Sequence, residues 1–398
     1  MNEYTMKPKI FIIDDYTKYS KQLVSSLKNG GEDVYHLGPK KPIKNKFHEV
    51  LKNQSEFQVE KIWSSKKFAS DITNYLENYK GKKIVHIQHE FFGQSAIGNL
   101  LDNLIQIPLL LHKLQKKKIF SVITLHSTLP QNSEIILELI PKSMNFKKIL
   151  SKIFLWYLKI WYRTIGKYST KIIVHGECFK KILIKDYGIS SEKIHVVRHG
   201  ILNDFDKKFE KTEKQNLILY FGVISPRKGL ENLIESFRIF VDKIPDSRLV
   251  IIGKEPEYYE GYLNKLKNFA KNQNFGDKIL FPGFQEDEEL SKWLSNTDIL
   301  VLPYASSTAA SGVFTVGLSR KIPMIISKTE FFREETENGA CALLVDVNNK
   351  KEFSQAMENL LVNSELQKNI LEKQNIISNK RSWENISEIT KGIYFNQG

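Results

Sequence analysis

Cysteine is nearly absent. Cys178 and Cys341 are the only two in 398 residues and lie far apart, so neither a disulfide framework nor a zinc site is supported, even with His175 close before Cys178. Long apolar runs are missing as well: the best candidates are broken by Asp102 and Lys159 before reaching the roughly 18 residues of a membrane span. The first apolar run, Ile10 to Ile13, is too short for a signal-peptide core, which leaves a cytoplasmic location as the expectation. No Walker-A spacing, no GxGxxG, no repeat of solenoid length and no low-complexity tract occurs. A metal box is missing too. Glu286-Asp287-Glu288-Glu289 reads as acidic residues complementing a helix N-terminus, and no Asp-x-Asp ends a strand.

What is present is ordinary globular material, 41% apolar and 26% charged, long enough for two or three domains with cores of their own. The charge is lopsided: residues 1–200 carry +16 and residues 201–398 carry −2, which make up the net +14. A basic half suggests an anionic partner, a membrane surface or a nucleic acid. Short β-branched runs alternate with longer stretches of helical period, the pattern of parallel α/β domains. They are Lys9–Ile13, Asp33–Leu37, Lys83–Gln88, Phe120–Leu125, Lys171–Val174 and Ile194–Val197, then Leu217–Phe221, Arg248–Ile252, Lys278–Phe281, Asp298–Leu302, Pro323–Ser327 and Ala342–Val345. The expected organisation is an N-terminal domain over 1–205, a polar linker over 206–215, a C-terminal domain over 216–378, and a final segment over 379–398 whose helix packs across both. Sheets of this kind bind ligands beyond the carboxyl ends of their strands, which predicts a cleft between the domains.

The most informative stretch runs from Leu217 to Gly229. A buried strand ends at Gly222, turns through Ser225-Pro226, and opens a helix whose Leu230, Leu233, Ile234, Phe237, Val241 and Ile244 share one apolar face. Gly222 allows close backbone approach, and Arg227 and Lys228 stand where helix N–H groups already favour an anion. The segment alone leaves two readings open, a phosphate site and a pair of solvated turn residues.

Here the chain resembles the retaining GT-B glycosyltransferases of family 4. Phe221-Gly222 through Lys228-Gly229 match their strand, turn, Lys-Gly and helix. Leu249 to Gly253, Phe281-Pro282-Gly283 and Thr297-Asp298 to Pro303 follow in their order and spacing. The likeness is good from about residue 216 to Trp383 and weaker through Val85 to Glu90, Val122 to His126 and Val196 to Gly200. It implies a GT-B fold, two Rossmann-like doubly wound domains facing a central cleft. It also implies a hexosyltransferase that moves a sugar, with retention, from a UDP or GDP sugar to a glycan, a polysaccharide precursor or a lipid-linked acceptor, without a metal or other cofactor.

The same resemblance assigns roles by position. Gly222, Arg227, Lys228 and the turn Ser311-Gly312-Val313 fall where the family holds the donor diphosphate. The family's two glutamates, seven residues apart, would lie at Thr308 and Val316, and both are missing; the small turn looks like the Ser-Gly-Val variant. A helix start without a ligand is the other reading of that turn. His126 matches a histidine after the strand Phe120–Leu125 that contacts the donor, and would serve with Arg227 and Lys228 in catalysis; a purely structural histidine is the alternative. His89 and Glu90 end the preceding strand and either face the acceptor or are loop polarity. His199 reads as interdomain packing, and His86 and His175 as structural. Asp14-Asp15 resembles the acidic pair of a receiver domain, without the Thr and Lys that should follow.

Residues 142–171 hold eight Lys or Arg and no acidic residue. On a helix, Lys148, Lys152, Lys159 and Arg163 share one face, and Phe146, Ile149, Ile153, Tyr157 and Ile160 share another. Two readings stand: a helix lying on an anionic membrane surface, peripheral at its cytoplasmic face, and a core helix with a solvated basic side. Two other functions compete with sugar transfer. A catalytically silent relative is suggested by the missing glutamates, and a nucleic-acid binder by the basic half, although no recognised nucleic-acid module accompanies it.

Overall fold

The computed structural model describes residues 7–14, 17–41, 59–91, 100–131, 147–201, 209, 215–273, 275 and 277–395. Most of the expected linker, Asp15, Phe146 and the side chain of Lys148 lie outside the described residues. The chain divides into two compact units, Met1–Gly200 with Thr308–Ala310 and Ser382–Gly398, and Ile201–Ser307 with Ser311–Arg381.

The first unit is a seven-stranded sheet of β1 (Lys9–Ile13), β2 (Val34–Pro39), β3 (Glu60–Trp63), β4 (Lys83–His89), β5 (Phe120–Leu125), β6 (Lys171–Val174) and β7 (Ile194–Val196). The order is β3-β2-β1-β4-β5-β6-β7 and every pairing is parallel. Its helices are α1 (Lys18–Asn29), α2 (Phe68–Glu77), α3 (Leu100–Lys116), α4 (Lys147–Tyr168) and α5 (Glu177–Tyr187). Strands buried on both faces read as continuous apolar runs, and β1, with Ile10 to Ile13 buried, is one. α1 starts where Thr17 accepts from the Ser20 N–H at 3.2 Å. The Thr17 N–H and hydroxyl in turn donate to Asp14 at 2.9 and 2.6 Å, and the other Asp14 oxygen meets His36 Nε2 at 2.7 Å. Burial alone would raise the Asp14 pKa, but His36, Ser20 and Thr17 together hold it below the usual carboxylate range. Asp14 thus closes the β1–α1 turn and is no receiver-type acid.

α4 does not pack by the face that the core-helix reading would turn inward. It buries Leu158, Trp161, Tyr162 and Ile165, while Ile149, Ile153 and Ile160 of the expected apolar face stand exposed. Large aromatics decide the rotation: the Tyr162 hydroxyl accepts from the Leu129 N–H at 3.1 Å, and the Trp161 ring packs at a tilt on Phe91, centroids 4.8 Å apart.

The second unit repeats the plan with β8 (Leu217–Phe221), β9 (Arg248–Ile252), β10 (Ile279–Gly283), β11 (Ile299–Leu302), β12 (Met324–Ser327) and β13 (Leu343–Val345), ordered β10-β9-β8-β11-β12-β13, all parallel. Its helices are α6 (Leu230–Val241), α7 (Tyr262–Asn272), α8 (Asp287–Asn296), α9 (Gly312–Arg320), α10 (Glu330–Glu335), α11 (Lys350–Val362) and α12 (Ser364–Lys380). The acidic residues Asp287, Glu288 and Glu289 occupy the first turn of α8. The last helix, α13 (Trp383–Phe395), was expected across both domains; it is counted with the first unit. There Ser387 bonds Ser26 at 2.9 Å and Lys391 pairs with Glu32 at 3.5 Å. Trp383 fills the space beside Gly200, where an added Cβ would come within 2.6 Å of the indole.

Candidate functional site

In the second unit the strand order reverses between β8 and β11, the place where such sheets bind ligands. β8 ends at Gly222 with φ +135°, and a Cβ there would lie 3.5 Å from Val313 Cγ2, at the start of α9. After it, Pro226–Lys228 forms a 3-10 turn rather than the first turn of the long helix, and Gly229 caps α6 with φ +64°. Only glycine fits there, because a Cβ would meet the Pro303 carbonyl oxygen at 2.1 Å. This close approach ties the turn to the end of β11, as does the Ala305 N–H donating to the Arg227 carbonyl at 2.9 Å.

The structure therefore brings Gly222, Arg227, Lys228 and the Ser311–Val313 turn to one end of one sheet. Arg227 and Lys228 are half-buried, less open than turn residues at an exposed helix start. Ser311 caps α9, its hydroxyl accepting from the Phe314 N–H at 3.3 Å; the first N–H groups of a helix have no partner within it and suit an anion. Tyr304 was missed by the sequence reading. It is buried, its ring centroid lies 3.3 Å from Lys228 Nζ, and its hydroxyl is 3.4 Å from Ser311 Oγ. Burial pushes its phenol up to about 12, so it stays neutral and holds the ammonium by its ring. The available signal was its place directly after Pro303, at a strand end. At the positions of the missing glutamates, Val316 is a buried residue of α9 and Thr308 belongs to the first unit.

The candidates of the first unit form something else. His126 was expected to meet a ligand, yet both its ring nitrogens are taken by protein: Nε2 by the Gln88 amide at 2.9 Å and Nδ1 by His175 Nε2 at 2.9 Å. His175 Nδ1 lies 2.8 Å from the Val197 carbonyl, the Gln88 amide also reaches His86 Nε2 at 3.1 Å, and His86 Nδ1 meets the Tyr394 hydroxyl at 2.5 Å. One arrangement of hydrogens satisfies this line with every ring neutral. The Val197 carbonyl can only accept, so His175 donates through Nδ1 and accepts at Nε2 from His126 Nδ1–H. The Gln88 oxygen lies toward His126 Nε2 and its nitrogen toward His86 Nε2. With the amide turned over, its NH2 donates to His126 Nε2 and its oxygen accepts from His86 Nε2–H, whose nitrogen also lies 2.7 Å from the Thr124 hydroxyl, and His86 Nδ1 accepts from Tyr394. The opposite amide orientation would need a second proton on His126 or His175. Burial first, then the neighbouring imidazoles, hold His126 well below its ordinary pKa, and burial pushes His86 down to about 3. His86 and His175, expected to be structural, are members of the same line as His126.

His89 does not face an acceptor. It is fully buried between Phe91 at 4.7 Å and Trp161 at 4.9 Å, and burial pushes it down to about 3. Glu90, the next residue, is half-buried. The His199 ring lies 5.0 Å from Tyr19, within the first unit. Among the described residues no group of His, Cys, Asp or Glu could hold a metal ion.

Two sequence families match the chain, Glycosyl transferases group 1 over residues 203–375 and Glycosyltransferase Family 4 over residues 19–204. It is 24% identical to the alpha-monoglucosyldiacylglycerol synthase of Acholeplasma laidlawii, over 82% of this chain and 80% of the other. It is 29% identical to the mannosylfructose-phosphate synthase of Agrobacterium fabrum, a match that spans only 30% of either protein. Among solved structures, Anabaena HepE in complex with UDP and glucose superposes with a TM-score of 0.71 at 14% identity, covering 98% of this chain and 99% of that one. That likeness shows the fold, GT-B with two Rossmann-like domains.

Proposed function

The chain belongs to the glycosyltransferases of GT-B fold, and from that premise we propose that its second unit holds the diphosphate of a nucleotide-sugar donor with Gly222, Arg227, Lys228 and the Ser311-Gly312-Val313 turn. The observation that carries this is the meeting of Gly222, the Lys228–Tyr304 pair and the start of α9 at the switch point of one sheet. As the bond from the sugar's anomeric carbon to the diphosphate breaks, negative charge collects on the leaving phosphate oxygens. Two cationic side chains and the backbone N–H groups of Gly312 and Val313 stabilise it there, which is electrostatic catalysis. Tyr304 anchors the Lys228 ammonium from below, so that it is in position before the charge develops. The donor is a UDP or GDP sugar, the former supported by the likeness to HepE, which was solved with UDP. No further cofactor enters. The configuration at the anomeric carbon is retained, as the family resemblance implies.

The sugar passes to a glycan, a polysaccharide precursor or a lipid-linked acceptor handled by the first unit. Relatives named for a glucosyldiacylglycerol product and for capsular polysaccharide biosynthesis support that range. His126 acts by holding the ends of β4 and β5 in place; with both nitrogens engaged it transfers no proton. Lys228→Ala tests the donor site. Sugar transfer should fall by about 10² to 10³ through the loss of one charge-stabilising group, with the thermal midpoint nearly unchanged. An active, stable variant would show that the diphosphate lies elsewhere.

A further inference from the structure

α3 and α4 lie side by side on the first unit: the Tyr157 hydroxyl donates to the Leu104 carbonyl at 3.2 Å, and His112 packs on Tyr168 at 4.7 Å. α4 buries Leu158, Trp161, Tyr162 and Ile165, and on its opposite side Ile149, Ile153, Trp156 and Ile160 stand 41–64% exposed. At 100° per residue those four fall within about 60° of arc, a straight stripe along the helix. α3 does the same with Ile105 and Leu109, exposed by 55% and 40%. Single exposed apolar residues are normal, but two parallel stripes on neighbouring helices make a contiguous patch, which marks a contact surface.

The charge around the patch says which surface. Lys152 and Arg163 are exposed and Lys159 half-exposed, all along one flank of the stripe, and no acidic residue occurs from Lys142 to Gly176. A protein partner would need a concave or shaped counterpart; a fluid anionic layer needs only apolar side chains to receive and basic ones to attract. An indole on the outermost line of a helix suits the boundary between headgroups and acyl chains.

We propose that this face docks on the surface of a bilayer containing anionic lipid, α3 and α4 lying flat, with Ile149, Ile153, Trp156, Ile160, Ile105 and Leu109 entering the acyl boundary and Lys152, Lys159 and Arg163 at the headgroups. The inference is independent of the donor site, which is on the other unit.

The test uses the full chain and vesicles of phosphatidylcholine with or without phosphatidylglycerol, read by co-sedimentation and by tryptophan emission. Wild type should bind the anionic vesicles with a blue shift and ignore the neutral ones, and binding should weaken at high salt. Lys152→Glu/Lys159→Glu/Arg163→Glu should weaken binding by about a hundredfold or more, since each basic residue near such a surface contributes about a factor of five. Ile153→Ser/Trp156→Ser should weaken it at least about tenfold and abolish the blue shift. Both sets lie outside the donor site, so donor hydrolysis should survive and reports a folded chain. Failure of wild type to bind anionic vesicles at low salt overturns the proposal. So does binding that persists in the serine variant, or a wild-type dimer that the serine variant splits into monomers.

Discussion

β4 and β11 occupy the same place in their two sheets, each next to the strand that opens its domain, and they are built in opposite ways. β11 is Ile299-Leu-Val-Leu302, buried and apolar throughout. β4 is Lys83-Ile-Val-His-Ile-Gln-His89, and its buried interior carries His86, Gln88 and His89. All nine histidines of the chain precede residue 200. One fold is thus stabilised in two ways. The second unit keeps its central strands apolar, carries its buried ion pair Arg381–Glu335 at 2.6 Å away from them, and has the residues proposed to hold the donor at the turns after β8 and β11. The first unit spends polar side chains inside the sheet: the His86–Gln88–His126 line is hydrogen-bonded along its length, whereas neither ring nitrogen of His89 has a partner among the described residues, an uncompensated burial of about 1–3 kcal/mol. Its strand ends are set by hydrogen bonds as well as by packing, and its stability becomes sensitive to protons.

The sharpest way to break the second unit alone is Gly229→Ala. The new Cβ meets a backbone carbonyl at 2.1 Å in a left-handed conformation, so a loss of about 4 kcal/mol or more is expected. Peptide-level hydrogen exchange should show it first in β8, β11 and α6. Protection lost first in β4 and β5 would contradict the comparison.

Acid strikes the other unit. His86 and His89 have folded pKa values pushed down to about 3 by burial, below the ordinary value near 6.5. The unfolded chain therefore binds more protons between those limits. The stabilisation is fully present above about pH 6.5 and is lost as pH falls toward 3. Going from pH 6.5 to 5 should remove about 2 kcal/mol for each of the two. Chemical denaturation followed by exchange at both pH values should find β4 and β5 opening first at pH 5, with the histidine-free second unit barely changed.

A smaller effect sharpens the network itself. Gln88→Leu removes the link between His86 and His126 and should destabilise the first unit by about 1–3 kcal/mol. Nitrogen-15 spectra should then show mixed imidazole tautomers at His126 where wild type shows the Nδ1–H form. A wild-type spectrum with Nε2–H at His126 would refute the assigned direction. Ser311→Ala is the mildest change. It deletes one helix cap, about 1 kcal/mol, and leaves the backbone N–H groups that the proposed diphosphate uses, so donor affinity should fall only slightly.

Much of the fold was legible because buried parallel strands announce themselves as β-branched runs. β3 escaped because Glu60-Lys61-Ile62-Trp63 is, among the described residues, an edge strand paired only with β2 and half in solvent, so it has no such run. The turn proposed to hold the donor stood out through its glycines and basic residues. Tyr304 was not, since an aromatic beside Pro303 reads equally well as core. α4 was ambiguous for a different reason. It is apolar on several sides, so its period allows either Ile149-Ile153-Ile160 or Leu158-Trp161-Tyr162-Ile165 to face inward, and only the three-dimensional fit of Trp161 and Tyr162 chooses. The imidazole line was half visible: alternation puts His86 and Gln88 on one face of β4, and Thr124 and His126 on one face of β5, but the register that pairs Gln88 with Thr124 is not written in either strand alone.

The helix Trp383–Phe395 closes the first unit from the far end of the sequence. Trp383 packs on Tyr19 at 5.0 Å and beside Gly200, and Tyr394 caps the imidazole line at His86. On the ribosome, chain order and folding order therefore disagree. The first unit begins to emerge before the second but cannot finish until Trp383–Phe395 is made, after Arg381, where the second unit's residues end. A stop codon shortly before Trp383 would spare every residue of the proposed donor site and still leave the first unit waiting, with a buried histidine short of its donor and an open flank beside Tyr19.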